Sequence, residues 1–310
     1  MNPYLTFLLG IVCAGVGGEL FVRGSVSLAH SFRISPGIIG ATVAAFATSS
    51  PELSVAINAA LAETPRIALG NALGSNVLNV ALILGLSLVV AGIQCPRTSV
   101  KQDFPVALAV PIFTGLLLLD GELSRFDGVL MMGMFLAWFT ATVLEARKQR
   151  SAAEKVLGVH QTWQIALYCI VGLGLLITAG NLIVDASKSI ALAFGIDEFI
   201  IAATVVSVGT TVPELATTMI AKFRGHDEVG LGTILGSNIF NGLFIVSIAA
   251  MIHPIVVPWH DLAIALAFGI AALVFTYPEG SGFIGRRRGV LLLMLYGGYL
   301  ALILKHGVAQ

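Results

Sequence analysis

The sequence predicts an all-α membrane protein of ten transmembrane helices, arranged as two inverted five-helix repeats in which helices 2 and 7 are kinked. Of its 310 residues, 57% are hydrophobic and 11% are charged, so polar side chains are too few to cover a soluble globule. The mean hydropathy is +0.94, and apolar runs of roughly 20 residues recur along the chain. The chain also matches itself at a constant offset of 162 residues, which aligns Gly18 with Gly180.

Apolar periodicity and polar breaks divide the chain into ten candidate spans. The predicted spans are 4–28, 36–61, 67–91, 104–120, 126–146, 161–186, 196–222, 229–250, 260–277 and 289–305. An even number of spans places both termini on one side. Lys and Arg are concentrated in the loops of the other side, so the positive-inside rule predicts that both termini face outside.

The internal repeat divides the chain into two halves. The predicted units are a first repeat over 1–147, a short charged cytoplasmic linker over 148–160 and a second repeat over 161–310. Because each half holds an odd number of spans, the second half enters the membrane from the opposite side to the first. This inverted plan is typical of secondary transporters, which bind substrate near the membrane midplane where the repeats meet.

A motif of hydroxyls, proline and carboxylate lies inside the second span and recurs in the seventh. It reads Thr48-Ser49-Ser50-Pro51-Glu52, then Thr210-Thr211-Val212-Pro213-Glu214. A carboxylate at membrane depth costs about 2.5–3.5 kcal/mol on insertion scales, so two in matching contexts indicate a function. Each proline lacks an N–H and crowds the preceding turn, so we expect a kink and freed carbonyl oxygens there.

The following span of each half carries a second repeated motif. Ser75 and Asn79 lie four residues apart, as do Ser237 and Asn241, so each pair presents two oxygens on one helix face. The glycine pairs Gly70/Gly74 and Gly232/Gly236 predict close approach of helix backbones. Hydroxyl, amide, carbonyl and carboxylate oxygens in one cluster are the hard ligands that Ca²⁺ and Na⁺ prefer.

Structural interpretations of the same residues stay open on sequence alone. Each glutamate could be a protonated acid held by a neighbouring helix. The hydroxyls could bond back to their own helix, and the asparagines could join helices together. None of the six histidines pairs at metal-ligand spacing and no nucleophile is evident, so we expect neither an enzyme nor a bound cofactor. The net charge is zero and no basic block interleaves with aromatics, which argues against nucleic acid as a partner.

At these motifs the sequence resembles the calcium/cation antiporter superfamily, specifically its prokaryotic sodium/calcium exchanger branch. The alpha repeats of that branch read roughly G-[ST]-[ST]-x-P-E and G-N-x-x-G-S-N-x-x-[ND], and both motifs occur twice and in order here. The resemblance implies that cations are bound by Ala45 and Ser207 through their carbonyls, and by Thr48, Ser49, Glu52, Ser75, Asn79, Thr210, Thr211, Glu214, Ser237 and Asn241.

Two positions depart from the family pattern. Ala47 stands where the first repeat usually has glycine, which stiffens the kink and leaves the ligands in place. Asn241 stands where many members, particularly the potassium-dependent ones, have aspartate. This departure argues against potassium dependence and leaves Glu52 and Glu214 as the strong candidates for negative charge in the site.

The resemblance implies a secondary antiporter of a prokaryotic cytoplasmic membrane that exchanges Ca²⁺ for Na⁺ by alternating access. Its partners would be Ca²⁺, Na⁺ and the lipid bilayer, with no obligatory protein partner. The alternative within transport is a proton-coupled Ca²⁺ exchanger, in which the same glutamates alternate between Ca²⁺ and protons. From other classes, a cation channel would show flux without a counter-ion, and an intramembrane enzyme would need a nucleophile or a metal dyad.

Overall fold

The computed structural model describes residues 3–32, 34–97, 99–153, 162–193, 207–257, 259–278 and 280–308. Nearly all of them are helical. The elements are α1 (Pro3–Phe32), α2 (Pro36–Thr48), α3 (Ser50–Leu61), α4 (Pro65–Val90), β1 (Ile93–Gln94), α5 (Ser99–Leu117), β2 (Glu122–Leu123), α6 (Arg125–Ala153), α7 (Thr162–Ala193), α8 (Ser207–Thr210), α9 (Val212–Phe223), α10 (Asp227–Ile252), β3 (Ile255–Val256), α11 (Trp259–Thr276), β4 (Phe283–Ile284) and α12 (Arg286–Val308).

Five helices in the described ranges are long and apolar enough to cross a membrane. They are Pro3–Ala29, Pro65–Val90, Ser99–Leu117, Arg125–Lys148 and Asp227–Ile252. The bent pair α2 and α3 would make a sixth span, and Trp163–Ala179 and Leu262–Thr276 are shorter apolar helices. The predicted count of ten spans stays a prediction. Residues 196–206 of the predicted seventh span and 154–160 of the predicted linker lie outside the described residues, while 148–153 continue α6 as helix.

The second predicted span is broken where the motif predicts a kink. Helices α2 and α3 meet at an angle of 45°, and the residue between them, Ser49, has φ −82° and ψ 9°. Thr211 separates α8 from α9 with φ −86° and ψ 3°, almost the same backbone conformation. In both breaks the proline is the second residue of the following helix, where its missing N–H needs no partner.

Two helices contain π-helical stretches at equivalent positions of the repeat. One is Leu78–Leu84 in α4 and the other is Phe240–Ile245 in α10, whose first residues lie 162 positions apart. They contain Asn79 and Asn241, the last residues of the second motif. A π-helical turn widens the helix and redirects its side chains, and such turns are frequent at functional sites.

Short antiparallel strand pairs join loops from the two halves of the chain. Strand β1 pairs with β4, with Ile93 opposite Ile284. Strand β2 pairs with β3, with Leu123 opposite Ile255. The first pair links the loop after α4 to the loop before α12, and the second links the loop before α6 to the loop before α11. The pairs therefore fix which loops lie at the same end of the molecule.

Helices α2 and α10 approach each other closely at glycine. A Cβ added to Gly236 would lie 2.7 Å from the Cα of Ala41, and one added to Gly232 would lie 2.9 Å from the Ala41 nitrogen. These contacts bring the two motif-bearing helices together, as the sequence predicts for this glycine pair. For Gly70 no heavy atom of the described structure lies within 4 Å of an added Cβ, but residues 199–203, the repeat equivalents of Gly37–Ala41, lie outside the described residues, so the prediction for Gly70 stays a prediction.

Candidate cation site

The two motif glutamates lie in the interior of the helical bundle. Glu52 is in the first turn of α3 and Glu214 is in the first turn of α9, and both side chains are fully buried. They lie close enough for their charges to repel each other. Because the helix breaks at Ser49 and Thr211 point both helix N-termini into this region, their free N–H groups help to stabilise negative charge here.

Hydroxyl groups from both halves of the chain surround the Glu214 carboxylate. Its Oε1 accepts a hydrogen bond of 3.0 Å from Ser49 Oγ and one of 3.1 Å from Ser237 Oγ. The hydroxyl of Thr48 also faces this carboxylate. Three side chains that the sequence predicts as ligands therefore surround one glutamate, two of them from the first repeat.

The Glu52 carboxylate has the matching neighbours from the opposite repeats. Thr210 and Ser75 face it, and these residues are the repeat equivalents of Thr48 and Ser237. Neither oxygen of Glu52 has a hydrogen-bond partner among the described residues, and neither does the Ser75 hydroxyl. The surroundings of the two glutamates are thus related by the repeat, but only Glu214 is hydrogen-bonded.

The remaining hydroxyls and the two carbonyls form local hydrogen bonds at the helix breaks. Ala45 O accepts from Ser49 N at 2.9 Å and from Thr48 Oγ1 at 3.4 Å. Ser207 O accepts from Thr211 N at 3.1 Å, from Thr210 Oγ1 at 3.2 Å and from Thr211 Oγ1. Both predicted carbonyl ligands therefore lie inside helical turns, and hydroxyls of the same turn already use the lone pair beyond the helix bond, so a cation bound there would have to displace those hydroxyl bonds.

The asparagines of the second motif connect the two halves. Asn76 Nδ2 donates to Asn238 O at 3.1 Å, and Asn238 Nδ2 donates to Asn76 O at 3.1 Å, a reciprocal pair between equivalent residues. Asn79 Nδ2 donates to Asn238 Oδ1 at 3.0 Å, which leaves Asn79 Oδ1 unpaired. Asn241 is fully buried, and neither its amide nitrogen nor its oxygen has a partner in the described part of the chain.

Unpaired buried oxygens are concentrated in this cluster. They are Glu52 Oε1 and Oε2, Glu214 Oε2, Ser75 Oγ, Asn76 Oδ1, Asn79 Oδ1 and Asn241 Oδ1. Burying such groups without a partner is costly, and a bound cation with oxygen ligands would satisfy them together. No group of three His, Cys, Asp or Glu side chains in the described ranges could hold a metal ion, so the oxygen donors here are mainly neutral.

Sequence reasoning missed several polar residues beside the site. Asn71 Oδ1 accepts a hydrogen bond of 3.2 Å from Ser207 Oγ. Asn76 and Asn238 bond across the repeat interface, which their presence in both motifs could have indicated. The hydroxyls of Thr217 and Thr218 lie one turn beyond Glu214 and are buried without partners among the described residues. The first motif has no equivalent of these two hydroxyls, so the repeat pattern gave no signal for them.

A cavity of about 710 Å³ lies elsewhere and is not part of this site. It lies between α2, α6 and α10 and is lined mostly by apolar side chains, including Ile38, Phe46, Phe135, Phe139 and Phe244. Neither glutamate lines it. A cavity with so few oxygen atoms cannot replace the hydration shell of a cation, so the carboxylate cluster is the candidate site.

Comparisons with known proteins point to one family. A family model described as "Sodium/calcium exchanger protein" matches residues 2–144 and 164–305. The membrane protein MJ0091 of Methanocaldococcus jannaschii is 32% identical over 290 residues, which is 94% of each chain. The sodium/calcium exchanger MaX1 of Methanosarcina acetivorans is 26% identical over 352 aligned positions, covering 97% of this chain and 98% of that one.

A solved structure extends this likeness to three dimensions. The sodium-calcium exchanger NCX_Mj, in a crystal soaked with 2.5 mM Na⁺ and 10 mM Sr²⁺, superposes with a TM-score of 0.83 and 31% sequence identity. The match covers 96% of this chain and 98% of that one. The similarity therefore extends over nearly the full length of both proteins.

Proposed function

The chain belongs to the sodium/calcium exchanger protein family, and from this premise we propose that it exchanges Ca²⁺ for Na⁺ by alternating access. Membership identifies it as an integral membrane antiporter that transports cations. The observation that supports Ca²⁺ and Na⁺ as the exchanged ions is the juxtaposition of Glu52 and Glu214. Both side chains are fully buried and surrounded by hydroxyl and amide oxygens. Two carboxylates balance the charge of one Ca²⁺.

Competition for the same oxygens couples the two fluxes. Two or more Na⁺ ions can occupy overlapping oxygen positions in place of one Ca²⁺, since both are hard cations with flexible oxygen coordination. When one cation is bound, the carboxylates are neutralised and cannot hold the other. The protein then moves either ion across the membrane but not both at once, which is the requirement for antiport.

The proposed ligand set combines the structure with the family resemblance. Glu52 and Glu214 supply the charge. Neutral oxygens come from the side chains of Thr48, Ser49, Ser75, Asn79, Thr210, Thr211, Ser237 and Asn241 and from the carbonyls of Ala45 and Ser207. Hydrogen bonds from Ser49 and Ser237 to Glu214 support the two hydroxyls most directly, because both lie within 3.1 Å of that carboxylate.

Alternating access in this proposal uses two inverted five-helix repeats, 1–147 and 161–310, within ten spans whose ends both face outside. The equivalent π-helical stretches, the matching breaks at Ser49 and Thr211, and the reciprocal Asn76–Asn238 bonds support a two-fold relation between the halves. The strand pairs support the alternation, since each joins two loops that the ten-span scheme assigns to one side.

A proton-coupled Ca²⁺ exchanger is the second candidate. The observation that favours it is that neither Glu52 oxygen accepts a hydrogen bond from the hydroxyls that face it, because a buried carboxyl that lacks such bonds can accept a proton in place of a cation. In that case the same two glutamates would alternate between Ca²⁺ and protons.

Uptake of ⁴⁵Ca²⁺ into proteoliposomes under imposed Na⁺, H⁺ or K⁺ gradients tests the proposal. An outward Na⁺ gradient should drive uptake at uniform pH, and collapse of that gradient with a sodium ionophore should stop it. Uptake driven by a pH gradient alone, with no response to Na⁺, would replace Na⁺ with H⁺ as the counter-ion. Uptake that needs no counter-ion gradient would identify a channel.

A further inference from the structure

The polar face of α9 continues beyond the candidate cation site. Thr217 and Thr218 follow Glu214 by three and four residues, so all three side chains lie on one side of the helix. Lys222 continues the same face one further turn along. The threonines are 0% and 1% exposed and the lysine is 8% exposed. The helix therefore buries a polar stripe, defined here as Thr217, Thr218 and Lys222, between the site and its own C-terminal end.

The two threonine hydroxyls of the stripe are not used to stabilise their own helix. A helical threonine commonly donates to the carbonyl four residues earlier, and buried Thr114, Thr142 and Thr233 do so at 2.8–3.0 Å. Thr217 and Thr218 form no such bond and have no other partner in the described structure. Both oxygens are therefore available to a ligand, and leaving them unpaired is costly.

The stripe faces protein, not lipid. Helix α9 packs against α1, against α10 and against the π-helical stretch of α4 that carries Asn79. Thr218 lies against α10, since a Cβ added to Gly230 would be 3.3 Å from the Thr218 methyl group. Polar groups at membrane depth are tolerated where they are buried in protein or line a path for ions. The stripe thus runs from the carboxylates along the interface between elements of both repeats.

The far end of the stripe is closed by a positive charge. Lys222 Nζ donates to the Gly92 carbonyl at 3.0 Å and pairs with Asp227 Oδ2 at 3.0 Å. Gly92 immediately precedes β1, so the lysine ties α9 to the loop after α4. The Cα atom of Lys222 lies about 12 Å along the helix axis from that of Glu214. A cation that moved along the stripe would meet this charge, which would have to move aside.

The first repeat has no such stripe. The positions equivalent to Thr217, Thr218 and Lys222 are Val55, Ala56 and Ala60, all apolar. Two routes that an inverted repeat would make equivalent therefore differ in chemistry, since at these three positions α9 carries polar side chains and α3 carries apolar ones. Helix packing alone does not require two threonines and a lysine here, since valine and alanine occupy the corresponding positions of α3.

We propose that Thr217 and Thr218 form a transit site for the exchanged hard cation, Ca²⁺ or Na⁺, on the route between Glu214 and the Lys222 end of α9. Lys222 closes that route in the present conformation. The inference rests on the proposed cation exchange. Two neutral hydroxyls without a carboxylate hold a cation only weakly, which suits a site that an ion enters and leaves during transport and not one where it is stored.

Na⁺-driven ⁴⁵Ca²⁺ uptake by the double variant Thr217→Val/Thr218→Val tests the transit site. Valine keeps the branched shape and removes the hydroxyl. We expect the maximal uptake rate to fall about tenfold, since a hydrogen-bond-like contact to a charged group contributes about 1.5 kcal/mol or more, while equilibrium Ca²⁺ affinity stays at the wild-type value. Thr217→Ser/Thr218→Ser should keep the wild-type rate. Thr114→Val, which removes a buried hydroxyl bonded to its own helix, is the matched control.

Each outcome distinguishes this inference from the proposed function. A wild type that lacks Na⁺-driven uptake would overturn both. A wild type that transports, together with a valine double variant at the wild-type rate, would overturn the transit site alone, as would a double variant that loses equilibrium Ca²⁺ binding. If the double variant does not fold, the Ca²⁺ leak of the variant Lys222→Met tests the proposed route instead. We expect it to raise Ca²⁺ leak in the absence of Na⁺ several-fold, and an unchanged leak would contradict the closed route.

Discussion

Hydroxyl groups at equivalent positions of the two repeats have different hydrogen-bond partners in the site. Ser49 donates to the Glu214 carboxylate at 3.0 Å, whereas its counterpart Thr211 donates to the backbone of its own helix. The difference follows from the residue types, because a serine hydroxyl rotates freely while a threonine hydroxyl in a helix is usually directed at the preceding turn. Equivalent positions can therefore contribute unequally to cation affinity.

This asymmetry predicts different effects of two small substitutions. Ser49→Ala removes a hydrogen bond to a buried carboxylate, so the Ca²⁺ concentration for half-maximal uptake should rise roughly tenfold. Thr211→Val keeps the shape and removes a proposed ligand whose hydroxyl is directed at its own helix, so its effect should be smaller. The measurement is ⁴⁵Ca²⁺ uptake as a function of Ca²⁺ concentration in reconstituted vesicles. Equal effects of the two variants would contradict the unequal roles.

Asn241 predicts independence from K⁺. A neutral amide helps to hold Na⁺ or orients a water, but it adds no charge to offset a co-transported K⁺. Na⁺-driven Ca²⁺ uptake by the wild type should therefore not require K⁺, and Asn241→Asp should change ion selectivity more than stability. The test titrates K⁺ while the membrane potential is clamped by a system that does not use K⁺. An obligatory, saturable K⁺ requirement in the wild type would mean that another residue supplies the missing charge.

At the scale of the elements, the close crossing of α2 and α10 holds the motif-bearing helices together. Gly236 permits it, because an added Cβ would overlap the backbone of Ala41. Gly236→Ala should lower stability by about 1–3 kcal/mol through overpacking and also reduce transport. Gly133→Ala in α6 is the matched control, since no heavy atom of the described structure lies within 4 Å of its added Cβ. Thermal unfolding of both variants in detergent measures the difference, and equal melting temperatures would contradict the role of this crossing.

The sequence predicts some elements better than others. The duplicated Pro51 and Pro213 indicate the helix breaks, because a proline ring crowds the preceding turn and cannot donate a hydrogen bond to it. The π-helical stretches around Asn79 and Asn241 could not be predicted, since a π-helical turn depends on how neighbouring helices pack and has no local signature in these residues. The unpaired hydroxyls of Thr217 and Thr218 could not be predicted either, because threonine in an apolar helix normally donates a hydrogen bond to its own backbone.

At the scale of the whole molecule, the two halves meet at one cluster of polar side chains. Each glutamate is surrounded by a hydroxyl of the facing helix break and a serine of the second motif, and the asparagines bond across the middle. The offset of 162 residues predicts this meeting, because equivalent residues of the proposed inverted repeat would converge at its axis. The path by which each side opens is not encoded in the repeat, since the faces of α3 and α9 beyond the glutamates differ.

A site made of two carboxylates predicts a pH effect on transport. Protons and Ca²⁺ compete for the same oxygens, and metal binding requires deprotonated ligands. The Ca²⁺ concentration for half-maximal uptake should therefore rise as the pH falls, while saturating Ca²⁺ restores much of the rate. The measurement is Na⁺-driven uptake at several values of symmetric pH. An apparent Ca²⁺ affinity that does not change on acidification would contradict direct ligation by the glutamates.

Equilibrium Ca²⁺ binding to the purified protein, measured by titration calorimetry with and without Na⁺, tests the paired carboxylate site most directly. The wild type should bind Ca²⁺ and lose that binding as Na⁺ is added. Glu52→Gln and Glu214→Gln should each weaken binding more than about tenfold, since each removes one of two charges from a buried site, while thermal unfolding reports that the variants remain folded. Ca²⁺ binding that survives in both folded variants, or that Na⁺ does not displace from the wild type, would contradict the account.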